Sequence, residues 1–335
     1  MSDTSPRTTM DQHTPQPGDE EFAANRFSHR PVMVDEIVAL VEPVPAGLVV
    51  DATLGGGGHA GALLDSRPDL VLLGLDQDAD AIEAAGQHLA SFGDRVTIRR
   101  ARFDELTTVL ADLDPPPVVA VLFDLGVSSH QLDEGDRGFS HRFDAPLDMR
   151  MDRRQDLTAA RVVNEYPERQ LARILTEYGD ERHARSIARA IVAARPLHTT
   201  GELAEVARGA IPAPARRRGR HPATRTFQAV RIEVNAELEV LPTAIDQAVD
   251  ALAPGGRCAV LTYHSGEDRI VKQRFLHAES GGCTCPDHLP CVCGATPRVR
   301  LLRRGGWTPS DDEKADNRRA ESARLRAVEK LEVAA

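Results

Sequence analysis

Four consecutive glycines, Gly55 to Gly58, follow an apolar run that ends in the acid Asp51. Glycine loses more backbone entropy on folding than any other residue, so four in a row need a structural reason. The usual reason is a ligand that approaches bare backbone at a strand-to-helix turn, where free N–H groups and the helix dipole meet it. A flexible linker is the alternative, but apolar segments flank the glycines directly. The turn therefore predicts a site for a nucleotide-like cofactor.

The type of cofactor depends on the acids around this turn. The segment Gly56–Gly61 satisfies the spacing Gly-x-Gly-x-x-Gly, which alone is a weak dinucleotide signal. The next apolar run, Leu70–Leu75, ends in Asp76, where an acid would accept ribose hydroxyls in either NAD or S-adenosylmethionine enzymes. Asp51 distinguishes the two, because its carboxylate would repel a pyrophosphate and attract the amino group of a methionine moiety. A methyl donor is favoured, and an NAD-dependent oxidoreductase is the alternative.

Strand and helix patterns alternate through the first part of the chain. Such alternation predicts an α/β fold with a doubly wound, mostly parallel, Rossmann-like methyltransferase sheet, in which ligands bind at the carboxyl ends of the strands. Asp51, Asp76, Phe103 and Asp124 stand at these ends and are expected to face one crevice. The predicted strands cover residues 47–53, 70–76, 96–103 and 118–125.

The alternation stops after residue 130, and residues 131–222 contain helical patterns but no convincing strand. It resumes with a helix from about Phe227 to Leu252 and a strand at 257–264. We therefore predict a discontinuous cofactor domain at 26–130 and 223–335, with an inserted all-helical substrate-recognition domain at 131–222. Residues 1–25 are rich in Ser, Thr, Pro and acids and are expected to be a disordered tail.

The charge is unevenly distributed along the chain. The net charge is −10, yet the 181–231 segment holds eleven arginines against three acids. Its densest part is Arg216-Arg217-Arg218-Gly219-Arg220. A solvated charged face normally mixes signs, whereas a cluster of one sign more often contacts phosphates. The segment predicts a nucleic-acid surface, with a solvated face as the alternative.

Four of the five cysteines, Cys283, Cys285, Cys291 and Cys293, lie within eleven residues of one another. In a reducing compartment such a cluster is a candidate metal site and not a disulfide framework. Two Cys-x-Cys pairs are less diagnostic of zinc than two Cys-x-x-Cys pairs, so no metal ligand is assigned from the sequence. No apolar run approaches the roughly 18 residues of a membrane span, and a cytoplasmic protein without membrane contact is expected.

Asp124 lies at the carboxyl end of the fourth predicted strand, which in methyl-transferring α/β folds faces the acceptor atom. The lone pair of an exocyclic aromatic amine is delocalised into its ring, so an enzyme must localise it. A hydrogen-bond acceptor for the amine N–H does this, and a rigid turn holds the geometry. Asp124 is the candidate catalytic acceptor and a candidate cofactor contact; an N-cap of the following turn is the alternative.

Many segments of the chain together resemble the ribosomal RNA small-subunit methyltransferase H family. The resemblance extends from about His29 to Leu331. It is carried by the segments His29–Met33, Asp51–His59, Asp124–Ser129, Gln131–Asp133, Arg137–Ser140, Pro146–Met151, Tyr178–Arg182, His221–Arg231, His264–Arg269 and Ser322–Arg326.

The resemblance implies methyl transfer from S-adenosylmethionine to N4 of a cytosine in the decoding centre of 16S rRNA, within the small ribosomal subunit. It implies cofactor contacts by Gly57, Gly58, His59, Asp76, Phe103, Asp124 and Gln131. Arginines of the insert and of the C-terminal part, Arg298, Arg300, Arg303 and Arg304, would hold the rRNA backbone. A non-catalytic RNA-binding assembly factor is the second alternative, and a homodimer stays open because the sequence does not decide the oligomeric state.

Overall fold

The computed structural model describes residues 31–128, 131, 135–216, 221–286 and 292–332. These residues form one seven-stranded sheet with the strand order β3-β2-β1-β4-β5-β7-β6. The strands are β1 Gly47–Asp51, β2 Leu70–Asp76, β3 Val96–Arg100, β4 Val118–Asp124, β5 Leu252–Thr262, β6 Val299–Leu301 and β7 Arg324–Lys330.

Strands β1 to β5 run parallel to one another. Their apolar side chains are buried on both faces of the sheet, as expected where helices cover both sides. The predicted β2 has the observed bounds, and the predicted β3 is too long because Phe103 begins a short 3-10 turn, Phe103–Glu105. The carboxyl ends of these strands lie at one edge of the sheet, and the glycine turn follows β1 there.

Helices cover both faces of the sheet, so the predicted doubly wound fold is confirmed. One face packs against α1, α2 and α3 and the other against α4, α11 and α12. The helices are α1 Val34–Val41, α2 Gly58–Ser66, α3 Ala79–His88, α4 Leu106–Leu113, α5 Ala159–Glu165, α6 Glu168–Glu177, α7 Ala184–Ala194, α8 Thr200–Ala210, α9 Ala213–Arg216, α10 Thr224–Asn235, α11 Glu237–Ala251, α12 Ser265–Ser280 and α13 Asp311–Asp316.

The described residues between β4 and β5 contain helices and no sheet strand. Helices α5 to α8 and α10 bury a hydrophobic cluster of their own, which extends from Phe139 to Val234. The cluster therefore continues past residue 222, the predicted end of the insert, into α10. The division of the chain into domains stays a prediction.

The single helix predicted from about Phe227 to Leu252 is wrong, because the structure has two helices there. Helix α10 ends at Asn235, and Ala236 adopts a left-handed conformation with φ 52° before α11 begins. The Asn235 side chain accepts the N–H of Met151 and donates to the carbonyl of Met149, each at 2.8 Å. The break thus ties α10 to the segment that follows β4.

Two strands near the C-terminus complete the sheet and were not expected from the sequence. Strand β7 lies antiparallel to β5, and β6 lies antiparallel to β7. The predicted tail, residues 1–25, lies outside the described residues. Within the described ranges, no helix has the length and apolar character that a membrane crossing needs.

Candidate active site

The glycine turn after β1 is held by its own backbone geometry. Gly57 is buried in a left-handed conformation with φ 79°, and its N–H donates to the carbonyl of Leu54 at 2.8 Å. A side chain at Gly57 would lie 3.1 Å from Leu89. Gly55 also has a positive φ, 51°, but a side chain there would meet nothing closer than 3.9 Å. The turn therefore has room for a ligand at Gly55, whereas its close approach to Leu89 requires a glycine at position 57.

The segment before α1 packs on the same turn. A side chain at Gly58 would lie 2.7 Å from Pro31, so only glycine permits this approach. His59, at the start of α2, is 5% exposed, and its Nε2 lies 2.9 Å from the carbonyl of Val32. Because a carbonyl can only accept, Nε2 carries a proton and Nδ1 is left to face Asp124 at 3.5 Å. Two predicted cofactor contacts, His59 and Asp124, thus lie side by side.

Asp76 ends β2 and is fixed by backbone donors. Its Oδ2 accepts the N–H of Gly55 and its Oδ1 accepts the N–H of Asp78, both at 2.9 Å. These hydrogen bonds lower the pKa of Asp76, but burial has the larger, opposite effect. The pKa of Asp76 is therefore raised to about 6. Each carboxylate oxygen has a second lone pair, so Asp76 retains acceptor capacity for a ligand hydroxyl.

Asp51 and Asp124 contribute two more buried carboxyl groups to the same crevice. The pKa of Asp51 is raised to about 7, mainly by burial and in part by the nearby charges of Asp124 and Asp76, against the lowering effects of His59 and the Thr53 N–H. Burial also raises the pKa of Asp124, against the lowering effect of His59. The pKa of all three neighbouring carboxyl groups is therefore raised, and a positive group close to them would favour their ionised forms. This crevice therefore fits a cationic ligand better than a pyrophosphate.

Asp124 receives two further contacts. The hydroxyl of Tyr263 donates to Asp124 Oδ1 at 2.7 Å, and the backbone N–H of Asp124 donates to Thr53 Oγ1 at 2.6 Å. Tyr263 directly follows β5, the parallel neighbour of β4. The Asp124 side chain stays 30% exposed, so it is held in place and still open to the crevice.

Phe103 begins the turn after β3, as its position in the sequence suggested. Its ring meets the buried Phe123 edge-on, with ring centroids 6.0 Å apart. This contact fixes the ring orientation, and the side chain is only half-buried. Phe103 can therefore offer a flat apolar face to a ligand base.

Gln131 connects the segment after β4 to the segment after β2. Its Nε2 donates to Asp78 Oδ2 at 2.7 Å, and its Oε1 accepts the N–H of Ser128 at 3.1 Å. Asp78 also forms an ion pair with Arg137 at 3.0 Å, and both side chains are 3% exposed. Asp78 therefore holds Gln131 in place, and Arg137 in turn holds Asp78. The sequence analysis did not identify this pair as part of the site. Its only signal was Arg137 in one of the motifs.

The arginines that were predicted to hold RNA are only partly described. Arg216, the last residue of α9, donates Nε–H to the carbonyl of Ile211 at 2.7 Å. Arg217, Arg218 and Arg220 lie outside the described residues. Near the C-terminus, Arg298 pairs with Asp250, and Arg300 pairs with Glu329 at 2.7 Å. These two C-terminal arginines are therefore compensated within the protein.

A Rossmann-like sheet with an acidic crevice at its strand ends is the fold and site expected of an S-adenosylmethionine-dependent methyltransferase. The MraW methylase family model matches residues 26–331, so the chain belongs to that family. The resemblance stated from the sequence is confirmed, and neither alternative class is favoured.

Curated relatives agree with this assignment. The chain is 50% identical over 311 residues to a protein of Heliobacterium modesticaldum, with 91% of this chain and 99% of the relative covered. It is 52% identical over 311 residues to a protein of Symbiobacterium thermophilum, with 91% and 98% covered. For a relative from Frankia alni the identity is 52% over 311 residues, with 90% and 95% covered. All three relatives are named ribosomal RNA small subunit methyltransferase H.

Proposed function

We propose that this chain transfers a methyl group from S-adenosylmethionine to N4 of a cytosine in the decoding centre of 16S rRNA. The observation that carries the proposal is the Asp124 carboxylate, held by Tyr263 at the end of β4 and open to the crevice. The names of the relatives support an rRNA substrate in the small ribosomal subunit, and that substrate implies a cytoplasmic enzyme.

The cofactor would lie across the strand ends. Asp76 would accept its ribose hydroxyls, since backbone donors already orient both carboxylate oxygens. Phe103 would contact the adenine face, and Gln131 would close the site from the segment after β4. The glycine turn at Gly57 and Gly58 and the adjacent His59 would contact the methionine part.

Charge complementarity supports this cofactor over a dinucleotide. Bound S-adenosylmethionine has a net positive charge, because its sulfonium and α-ammonium groups outweigh its single carboxylate, and it would enter a crevice where burial raises the pKa of Asp51, Asp76 and Asp124. Binding would let the carboxyl groups ionise and release protons. The two phosphates of NAD would instead add negative charge beside Asp51 and Asp124.

Asp124 would act on the cytosine amine. When bound, S-adenosylmethionine supplies an electrophilic methyl group on a positively charged sulfur. Asp124 accepts an N–H of the amine, which turns the nitrogen lone pair out of conjugation with the ring and toward the methyl carbon. After transfer, N4 loses one proton, and Asp124 takes it, because its raised pKa suits a proton acceptor.

Tyr263 is a positioning residue in this account. Its hydroxyl fixes Asp124 Oδ1, so Oδ2 and the remaining lone pairs are left for the amine. The same hydrogen bond lowers the pKa of Asp124 and thereby keeps a larger fraction ionised near neutral pH. The target base has to leave its stack to present N4 there, and the arginines of the 181–231 segment would hold the neighbouring backbone.

A methyl-transfer assay on isolated small subunits tests the function. Subunits from a strain that lacks the enzyme are incubated with tritium-labelled S-adenosylmethionine, and the rRNA is digested to nucleosides. The expected product is N4-methylcytidine at one position. Tritium in another nucleoside would exclude the proposed target, and RNA binding without any transfer would support an assembly factor. Titration with NAD under the same conditions is expected to show no binding.

A further inference from the structure

Three cysteine side chains meet beyond the C-terminal end of α12, far from the crevice. The thiol sulfurs of Cys283, Cys285 and Cys293 all lie within 4.8 Å of one another. The distance between the sulfurs of Cys283 and Cys293 is 3.6 Å, and no disulfide links the three cysteines. A disulfide requires about 2.05 Å between sulfurs, whereas tetrahedral zinc–thiolate ligands, with Zn–S near 2.3 Å, stand roughly 3.8 Å apart.

We propose that Cys283, Cys285 and Cys293 bind one zinc ion that closes the loop between α12 and β6. Three thiolates are a donor set that selects zinc over magnesium or calcium, which prefer oxygen ligands. Cys291 and His288 lie outside the described residues, and neither is assigned as a fourth ligand. The proposal is independent of the reaction, because it rests on this cluster alone.

The base of the loop is already built to bring the ligands together. The N–H of Arg298 donates to the carbonyl of Ala278 at 2.9 Å, so the two ends of the loop lie side by side. Gly281 has a φ of 63°, and a side chain there would lie 2.3 Å from the Thr296 carbonyl oxygen. Only glycine allows this contact between the two ends of the loop. Cys283 follows two residues after Gly281.

The electrostatic setting favours a cation at this position. Helix α12 has 16 residues, and its last carbonyl, that of Ser280, accepts the N–H of Cys283 at 3.2 Å. The C-terminal end of a helix carries partial negative charge, so bare thiolates there would be destabilised and a divalent cation stabilised. A 16-residue helix is about 24 Å long, which separates the cluster from Tyr263 at the other end of α12. The ion would therefore hold the three cysteines together and take no part in methyl transfer.

Metal analysis of the reduced full-length protein tests the site. Purified chain is expected to hold one equivalent of zinc, and cobalt substitution is expected to give the thiolate charge-transfer and visible bands of tetrahedral coordination. Cys283→Ser, Cys285→Ser and Cys293→Ser should each weaken cobalt binding by more than the roughly 10- to 100-fold loss typical of an outer-shell partner. Cys258→Ala, which removes the buried thiol in β5, should leave the cobalt spectrum unchanged.

Several results would overturn the proposal. Reduced wild-type protein that binds no cobalt above background would do so, as would a thiol count that shows a Cys283–Cys293 disulfide and no metal under reducing conditions. Serine variants with wild-type cobalt affinity would also overturn it. If a serine variant does not fold, the metal content and cobalt spectrum of the wild type still decide. S-adenosylmethionine affinity, measured alongside, should be the same for all four variants.

Discussion

The hydroxyl of Tyr263 donates a hydrogen bond of 2.7 Å to the carboxylate of Asp124, and this bond joins the ends of two neighbouring parallel strands. It orients the acid in a crevice that also contains His59, 3.5 Å from the other carboxylate oxygen. Because Asp124 is anchored on two sides, its remaining lone pairs have a defined direction. The proposed methyl transfer depends on this arrangement.

Tyr263→Phe should reduce kcat by about 10-fold, since a hydrogen bond to a charged group contributes about 1.5–3 kcal/mol and part of it is retained by water. The bond lowers the pKa of Asp124, so its loss should raise that pKa. Asp124 is active when ionised, and the acidic limb of the pH profile should therefore move to higher pH. Steady-state kinetics from pH 5.5 to 9 check this.

The control for this variant is Tyr166→Phe. Its hydroxyl interacts with Glu233 in the helical region, away from the crevice. That variant should keep the wild-type kcat and pH profile. An unchanged profile in Tyr263→Phe would show that the tyrosine does not act through Asp124.

Asp51→Asn should change stability and cofactor affinity in opposite directions. The pKa of Asp51 is raised to about 7 in the folded protein, so between pH 4 and pH 7 the folded state binds more protons than the unfolded state. Stability without cofactor therefore falls as pH rises through this window. Removing the charge should stabilise the protein by about 1–3 kcal/mol at pH 8 and by about a third of that at pH 5.

The same substitution should weaken S-adenosylmethionine binding, because it removes one of the carboxylates that attract the positive cofactor. Thermal unfolding at both pH values and calorimetric titration measure the two effects. A variant that is less stable at pH 8, or one that binds the cofactor more tightly, would contradict the claim that the buried Asp51 charge destabilises the protein and attracts the cofactor.

Asp76→Ala should weaken S-adenosylmethionine binding by about 1.5–3 kcal/mol, the cost of leaving ribose hydroxyls without a charged acceptor. Calorimetry measures it directly. Asp69→Ala is the matched control, because Asp69 stands just before the same strand and pairs with Arg67 at the surface. Equal affinities for the two variants would remove Asp76 from the cofactor site.

Replacing Arg216, Arg217 and Arg218 together with Gln should strongly reduce methylation and leave S-adenosylmethionine affinity intact. Each lost phosphate contact should lower the slope of log affinity against log salt by about 0.7–0.9. The control replaces two arginines outside the 181–231 segment that pair with acids four residues away, Arg161 and Arg173. Filter binding of rRNA across a salt series compares the two. Identical slopes would mean that the 216–218 arginines are only a solvated segment.

The sheet and the strand-end acids could be predicted because their signals are local. Leu70–Asp76 has the predicted bounds, and β4 ends one residue earlier than predicted. Each of these strands is a short apolar run that ends in an acid, so the run defines the strand and the acid marks the edge where ligands bind. The family resemblance added the order of the remaining motifs.

Contacts between segments far apart in the chain could not be predicted from the sequence in this way. Tyr263 and Asp124 are 139 residues apart and meet only because β5 lies beside β4. The helix break at Ala236 has no glycine or proline to signal it and depends on the contact of Asn235 with Met151. Strand β7 could not be predicted because its charged residues, among them the buried Arg326, interrupt the apolar pattern that identifies a buried strand.

Arg326 is 6% exposed and forms an ion pair with Asp268 at 2.6 Å. A buried arginine needs such a partner, and no local pattern identifies an acid 58 residues away. From the sequence, the arginine-rich C-terminal part suggests a nucleic-acid surface. In the structure, part of that positive charge is instead paired with acids of the protein itself.

Asp124→Asn gives the most direct test of the central claim, that Asp124 accepts an N–H of the cytosine amine during methyl transfer. The variant keeps the shape of the side chain and removes its charge. Single-turnover methylation of small subunits and calorimetric S-adenosylmethionine binding are measured on the same preparation. We expect the rate of N4-methylcytidine formation to fall by at least 100-fold, within the range of general acid–base contributions, while cofactor affinity falls by less than 10-fold. Equal losses in rate and affinity would contradict the claim and reduce Asp124 to a cofactor contact.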